Sequence, residues 1–300
     1  MIRLGLCCLF KQEDIRFRRT TATFLSRKSM GERLTRLSEI CLHNGHALMQ
    51  ALSFCYAHGI GAFRINSQIF PLKTHPDLAY DLDDMPDARD IRECFHACRV
   101  FALKNNIRLT LHPDQFILLS SNNPLVTCRS IEELNYQAEF AELVNADVIN
   151  IHGGGAYGNK KDALMRLRRN IEGLEPSLRS RLTLENDDRV YTPDDLLPVC
   201  RDMGVPLVYD VHHHRCLPDG LGEKATTEKV LSTWNREPLF HVSSPLGTWN
   251  GSTLRKHDDF IDIRDFPSSW QGLDITVDVE AKAKELAVIK LMGDLREFQR

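Results

Sequence analysis

Eight short runs rich in aliphatic and β-branched residues punctuate this chain, and amphipathic stretches separate most of them. The runs are Ile2–Cys7, Ala62–Asn66, Arg108–Leu111, Asp147–His152, Leu182–Asn186, Leu207–Asp210, Leu239–Val242 and Asp274–Glu280. Between and after them, apolar residues recur at helical spacing over Glu32–Ala57, Ala88–Lys104, Ile131–Val144, Ala163–Ile171, Asp194–Met203 and Glu285–Phe298. Strand–helix alternation predicts a parallel sheet, and eight such units predict closure into a (β/α)₈ TIM barrel. Gly59, Gly204 and the Asn105-Asn106 pair stand where helices should stop. Residues 245–272 read mostly as loop, so the seventh unit is the least regular. There is no internal repeat, low-complexity tract or linker, and residues 1–300 read as one barrel domain with its site at the C-terminal strand ends.

A chain of 300 residues buries a large core without a staple, so any metal is expected to serve function rather than folding. The nine cysteines are scattered, with no CxxC pair, as in a reduced cytoplasmic protein. No apolar run reaches the roughly 18–20 residues that a membrane span requires. Net charge is −3, from 38 Lys and Arg against 41 Asp and Glu, which excludes a uniformly basic nucleic-acid binder. Charge is unevenly placed, however. Residues 11–36 hold eight bases against three acids, residues 160–181 seven against three, and residues 77–93 seven acids against two bases. Either basic cluster could grip phosphates locally or be a solvated helix face.

The strand ends carry the chemistry. The third strand runs into His112-Pro113-Asp114-Gln115 and the fourth into His152-Gly153-Gly154-Gly155. The fifth ends in Glu185-Asn186-Asp187-Asp188 and the sixth in Asp210-Val211-His212-His213-His214. The seventh carries His241, with His257 in the loop after it, and the eighth ends in Glu280-Ala281-Lys282. In a barrel these ends converge on one mouth. Imidazoles and carboxylates together suit Mn²⁺, Zn²⁺ or Fe²⁺. Eight convergent ligands exceed what one ion uses, and paired ions are the usual device for in-line displacement at phosphorus. Any one of these residues alone could be a capped or hydrogen-bonded side chain. His212, His213 and His214 cannot all point inward. The triple glycine at 153–155 suits a tight turn better than a phosphate cradle.

At these residues the sequence resembles the UV damage endonuclease family, (β/α)₈ barrels related to endonuclease IV. The similarity lies in Met1-Ile2-Arg3-Leu4-Gly5, Phe63-Arg64-Ile65, Leu111-His112-Pro113-Asp114-Gln115-Phe116, His152-Gly153-Gly154, Ala156-Tyr157-Gly158, Leu184-Glu185-Asn186-Asp187, Asp210 with its histidines, His241, and Glu280-Ala281-Lys282. The resemblance implies nicking of damaged double-stranded DNA 5′ of pyrimidine dimers and some abasic sites, with two or three divalent ions, Mn²⁺ favoured over Zn²⁺ or Mg²⁺. It implies the metal ligands His112, His152, Glu185, Asp210, His213, His241, His257 and Glu280. It implies catalytic roles for Glu185, His241, Glu280 and Lys282. It also implies lesion probing by Gln115 and Phe116. Independently of the resemblance, Arg16, Arg18 and Arg19 of the first basic cluster are expected to contact DNA phosphates. Nothing implies a membrane or an obligate protein partner. Three positions depart from the family pattern. Phe116 replaces a tyrosine, Leu239 stands where a modified lysine often precedes the seventh-strand histidine, and Leu6-Cys7-Cys8 replace the tyrosine and asparagine at the end of the first strand.

Two other functions compete. A sugar isomerase or epimerase of the xylose-isomerase-like class needs only the set Glu185, Asp210, His241 and Glu280 for one ion, leaving His112, His152, His213 and His257 unexplained. A DNA-binding barrel without chemistry would have no use for so many ligands.

Overall fold

The computed structural model describes residues 1–298; the last two residues of the expected domain lie outside that range. Eight strands form a closed parallel barrel in sequence order: β1 (Ile2–Cys7), β2 (Ala62–Ile65), β3 (Arg108–Leu111), β4 (Val148–His152), β5 (Leu182–Glu185), β6 (Leu207–Asp210), β7 (Leu239–Val242) and β8 (Ile275–Val279), with β8 pairing back onto β1. Every expected strand is present, within one residue at each end. The long helices are Met30–His58, Ala88–Lys104, Pro124–Val144, Lys160–Glu172, Pro193–Met203, Glu223–Leu231 and Glu285–Phe298.

Local sequence explains the helix limits. Ser29 and Glu32 form a reciprocal capping box, as do Thr192 and Asp195, each satisfying amides that a helix start leaves free. Asn123 caps a helix that begins with Pro124 at its first turn, seven residues ahead of where the apolar periodicity starts. Gly59 and Gly204 terminate their helices at φ 70° and 65°, the left-handed conformation that glycine adopts without a Cβ penalty.

Four described helices fall outside the stretches expected from sequence; Ala22–Leu25 and Pro176–Arg179 are single turns, and the other two have local causes. Glu223–Leu231 is polar and rich in threonine. Val211–Cys216 begins directly after β6, with Asp210 as its N-cap accepting the His213 amide at 2.8 Å. The seventh unit has no long helix; two single 3₁₀ turns, Ile263–Asp265 and Ser268–Trp270, occupy its loop.

Strand residues alternate between the two faces of the barrel wall. One set, including Leu6, Phe63, Leu111, Ile151, Leu184, Tyr209, Phe240 and Val277, joins the apolar layer under the helices. The other set fills the barrel and is unusually polar: Arg64, Thr110, Asn150, Thr183, Glu185, Asp210, His241, Thr276 and Asp278. All of these except Arg64 are buried. Arg3 with Glu237 and Arg108 with Asp147 close the N-terminal end by ion pairs at 2.9 and 2.8 Å. The polar interior therefore leads toward the opposite end, where the ligand-type residues sit.

Candidate metal centre

Register brings the strand-end residues together. His152 pairs with Glu185 across β4 and β5, Asp210 with His241 across β6 and β7, and His241 with Asp278 across β7 and β8. Three triads result, each with its ligand atoms within 4.8 Å of one another: His112–His152–Glu185, Glu185–Asp210–His213 and Asp210–His241–Glu280. Glu185 belongs to the first and second, and Asp210 to the second and third. The triads are thus joined through carboxylates, the group that bridges neighbouring cations.

The triad ligands other than His152 have hydrogen-bond or ion-pair partners. Thr183 Oγ1 donates to Asn150 Oδ1 at 2.9 Å, and Asn150 Nδ2 donates to Glu185 Oε2 at 2.5 Å. The same oxygen lies 2.9 Å from His112 Nε2, while His112 Nδ1 faces the Pro113 carbonyl at 3.0 Å. That contact fixes the ring so that Nε2 points into the cluster. Glu185 Oε1 lies 3.1 Å from His241 Nδ1. His213 Nδ1 is 3.0 Å from the Asn186 carbonyl and 3.4 Å from Asp210 Oδ2. Glu280 takes the Arg64 guanidinium at 2.6 Å.

The electrostatics suit cations. Burial raises the Glu185 pKa, but His241, His152 and hydrogen bonds from His112 and His213 override it and hold the carboxyl well below its usual range. Glu280 is likewise held low, by Arg64 and then His241 against its burial. Burial pushes Asp210 up, opposed by His213. Burial pushes His152 down to about 4, which leaves it neutral and free to ligate. His241 goes the other way: burial alone would lower it, but Glu185 and Glu280 raise it to about 9. Asp210 Oδ2 and His152 Nδ1 are buried with no hydrogen-bond partner. Buried unpartnered acceptors are costly, and a carboxylate-and-imidazole set with vacant lone pairs fits divalent metal.

The implied ligands divide accordingly. Seven of the eight form the triads. His257 stands alongside, with Nδ1 3.8 Å from Glu280 Oε2 and its ring 5.1 Å from that of His212. Of the three consecutive histidines, His213 faces the cluster and His214 turns away to Tyr209 and Asp219, at 2.8 and 2.9 Å. His212 is buried with both nitrogens unpartnered. Lys282 is exposed, with its amide donating to the Asp258 carbonyl at 3.0 Å, and lies outside the triads. Two site residues had no role assigned from sequence: Arg64, which grips Glu280, and Asp278, wholly buried two residues before it. Period-2 alternation put Asp278 on the Glu280 face, which was the available signal.

Gln115 and Phe116 occupy the tip of a β-turn. The Ile117 amide donates to the Asp114 carbonyl at 2.9 Å, and the Phe116 amide donates to Asp114 Oδ1 at 3.1 Å. Both side chains point to solvent, and Phe116 is 70% exposed. The loop after β1 holds Arg16, Arg18 and Arg19, all exposed. It is tied down at two places. Buried Glu285 accepts the amides of Lys11 and Gln12 at 2.7 Å each and that of Glu13 at 3.3 Å. Buried Asn44 exchanges two hydrogen bonds with the Arg18 backbone, at 2.7 and 3.0 Å. The other basic run is largely committed within the protein: Lys160 pairs with Asp195, Arg168 with Asp202, and Arg181 donates to the Ala146 and Ser177 carbonyls.

The UV-endonuclease UvdE family is matched over residues 2–300. The chain belongs to that family. It is therefore an endonuclease built on a (β/α)₈ barrel, as the strand ends and the resemblance imply. A UV DNA damage endonuclease of Bacillus velezensis is 33% identical over 285 residues, covering 91% of this chain and 86% of that one. The crystal structure of SacUVDE superposes with a TM-score of 0.88 at 25% identity, covering 100% of this chain and 99% of that one. Endonuclease IV from Thermus thermophilus gives 0.62 at 15% identity, with 99% and 98% covered. D-psicose 3-epimerase from Clostridium cellulolyticum gives 0.59 at 12%, with 99% and 98% covered. At such identities the last two share the fold alone, so the epimerase likeness does not favour the isomerase alternative. All nine thiols are free, and no described helix is long and apolar enough to cross a membrane.

Proposed function

We propose that this chain repairs DNA by nicking the phosphodiester backbone 5′ of UV photoproducts, and that abasic sites are a further substrate. The observation that carries the reading is the linked set of triads, in which Glu185 and Asp210 are each shared. A single-ion isomerase would have no use for such sharing. Two or three divalent ions, Mn²⁺ favoured, would be held by His112, His152, Glu185, Asp210, His213, His241 and Glu280, with His257 beside Glu280. Such ions supply Lewis acidity and charge neutralisation at phosphorus.

The chain's own residues supply the rest. Asn150 and the Pro113 carbonyl hold Glu185 and His112 in their ligating orientations. Arg64 holds Glu280. Gln115 and Phe116 fill the gap left when damaged nucleotides leave the stack. Arg16, Arg18 and Arg19 hold backbone phosphates from an anchored loop. Lys282, exposed two residues past Glu280, is assigned to the substrate side of the mouth. The test is incubation of Mn²⁺-loaded protein with end-labelled duplexes bearing a pyrimidine dimer, an abasic site or no lesion, alongside elemental analysis. A nick 5′ of the dimer with at least two ions per chain is expected. No nicking of either lesion, or one ion per chain with sugar isomerisation, would overturn it.

A further inference from the structure

His241 is the one triad histidine whose second nitrogen faces a carboxylate from below. Its Nδ1 looks into the cluster, 3.1 Å from Glu185 Oε1 and 3.5 Å from Glu280 Oε1. Its Nε2 is buried without a hydrogen-bond partner, and so are both carboxylate oxygens of Asp278. The two unpartnered groups face each other, with Nε2 3.9 Å from Asp278 Oδ2 and both residues wholly buried. A buried carboxylate without hydrogen bonds is among the costliest groups a core can hold, so its placement needs a reason beyond packing.

The barrel wall makes room for it. His241, Asp278 and Gly5 lie in one row across β7, β8 and β1. A Cβ on Gly5 would meet Asp278 Oδ1 at 2.1 Å, so only glycine leaves that carboxylate its space. No other charge serves His241 from beneath: Leu239, on the same face of β7, packs with Val148, Val208 and Trp234. Arg64, the guanidinium within ion-pair range of Asp278, is 4.0 Å away and already engaged by Glu280 at 2.6 Å.

We propose that Asp278 is a positioning residue for the metal centre: it accepts the Nε2–H of His241, fixing the tautomer that presents Nδ1 to a bound cation and lending the ring negative charge. The inference rests on the reading of the triads as a metal centre. The observed separation is roughly 1 Å longer than a charge-assisted hydrogen bond, a gap that a small turn of either side chain closes. Carboxylate–imidazole–metal chains of this kind typically govern affinity by 10–100-fold.

Zn²⁺, which is diamagnetic and takes the same donors, is the probe. Competition against a chelator measures its affinity for the wild type, Asp278→Asn, Gly5→Ala and the double variant. Wild-type protein that takes up no Zn²⁺ would sink the metal-centre reading itself. Given uptake, Asp278→Asn is expected to weaken the His241-dependent site by about 10–100-fold while leaving the melting temperature of the metal-free protein unchanged or higher. Gly5→Ala, which displaces the carboxylate without touching a ligand, is expected to weaken it too, and to add little on top of Asp278→Asn. The imidazole N–H resonance of His241 in the zinc-loaded protein, assigned by its loss in His241→Gln, should move in Asp278→Asn. Unchanged affinity with an unmoved resonance overturns the proposal. So does a lowered melting temperature with affinity intact, which would make Asp278 merely a counter-ion for Arg64.

Discussion

Phe116→Ala separates a lesion probe from a structural aromatic. A fully buried phenylalanine cut to alanine costs about 3–5 kcal/mol. Phe116 is 70% exposed, so less than a third of its surface is covered by protein, and the stability cost scales to about 1 kcal/mol. In a chain of this size that lowers the melting temperature by roughly 2–4 °C. Stacking of a base on an aromatic ring is worth about 1–3 kcal/mol, so affinity for a dimer-bearing duplex should fall about 5- to 150-fold. Affinity for undamaged duplex, in which no base leaves the stack, should hold. The turn that displays the ring depends on Asp114 and main-chain bonds rather than on the phenyl group, so the metal ligands stay in place. Competition binding with dimer-bearing and plain duplexes, together with a melt and metal analysis, reads all three quantities on one variant. Equal weakening on both duplexes, or a melting loss near 10 °C, would refute the reasoning.

Glu185→Gln should abolish nicking and lower metal content while circular dichroism stays native, because the charge is removed from two triads at once; retention of both nicking and metal would remove Glu185 from the centre. Replacing Arg16, Arg18 and Arg19 together should weaken lesion and plain DNA alike and flatten the salt dependence by about one unit of slope for each phosphate no longer neutralised; an unaltered slope would leave these side chains as solvated charge. In metal-free protein His241 is raised from 6.5 to about 9, so its contribution to stability is fully present below pH 6.5 and is lost as pH climbs through 9. That contribution is worth roughly 3 kcal/mol. Metal binding to the neutral ring must expel that proton, so affinity should rise over the same interval and calorimetry at pH 7 should register proton release; affinity that is flat from pH 6.5 to 9 would contradict the protonated ring.

Much of this architecture is readable in the chain itself. Strand-end ligands are legible because hydrophobic alternation marks where each strand stops, and a barrel sends every such stop to one mouth. The irregular seventh unit is legible from the absence of helical periodicity over 245–272. What escapes does so for local reasons. The run Val211–Cys216 looks like a polar tail, yet Asp210 caps it into a turn of helix, and that turn separates His213 from His214. Asp278 sits inside the strand Ile275–Val279 rather than at its end, where strand-end reading does not look. Its meaning depends on register with Gly5 and His241, on two strands that are remote in sequence. How far the second basic run is committed within the protein depends on the fold as well, because Asp195 and Asp202 lie on another helix.

The arginine loop near the start of the chain is fastened by a carboxylate 272 to 274 residues away. During synthesis Glu285 leaves the ribosome long after Lys11–Glu13 have emerged. The amides it ties therefore stay loose until the final strand has closed the barrel. A chain that stops short of β8 lacks both Glu280 and Glu285, so completion of the strand-end cluster and this second fastening of the arginine loop, beside the one Asn44 already makes, arrive in the same step as closure of the ring.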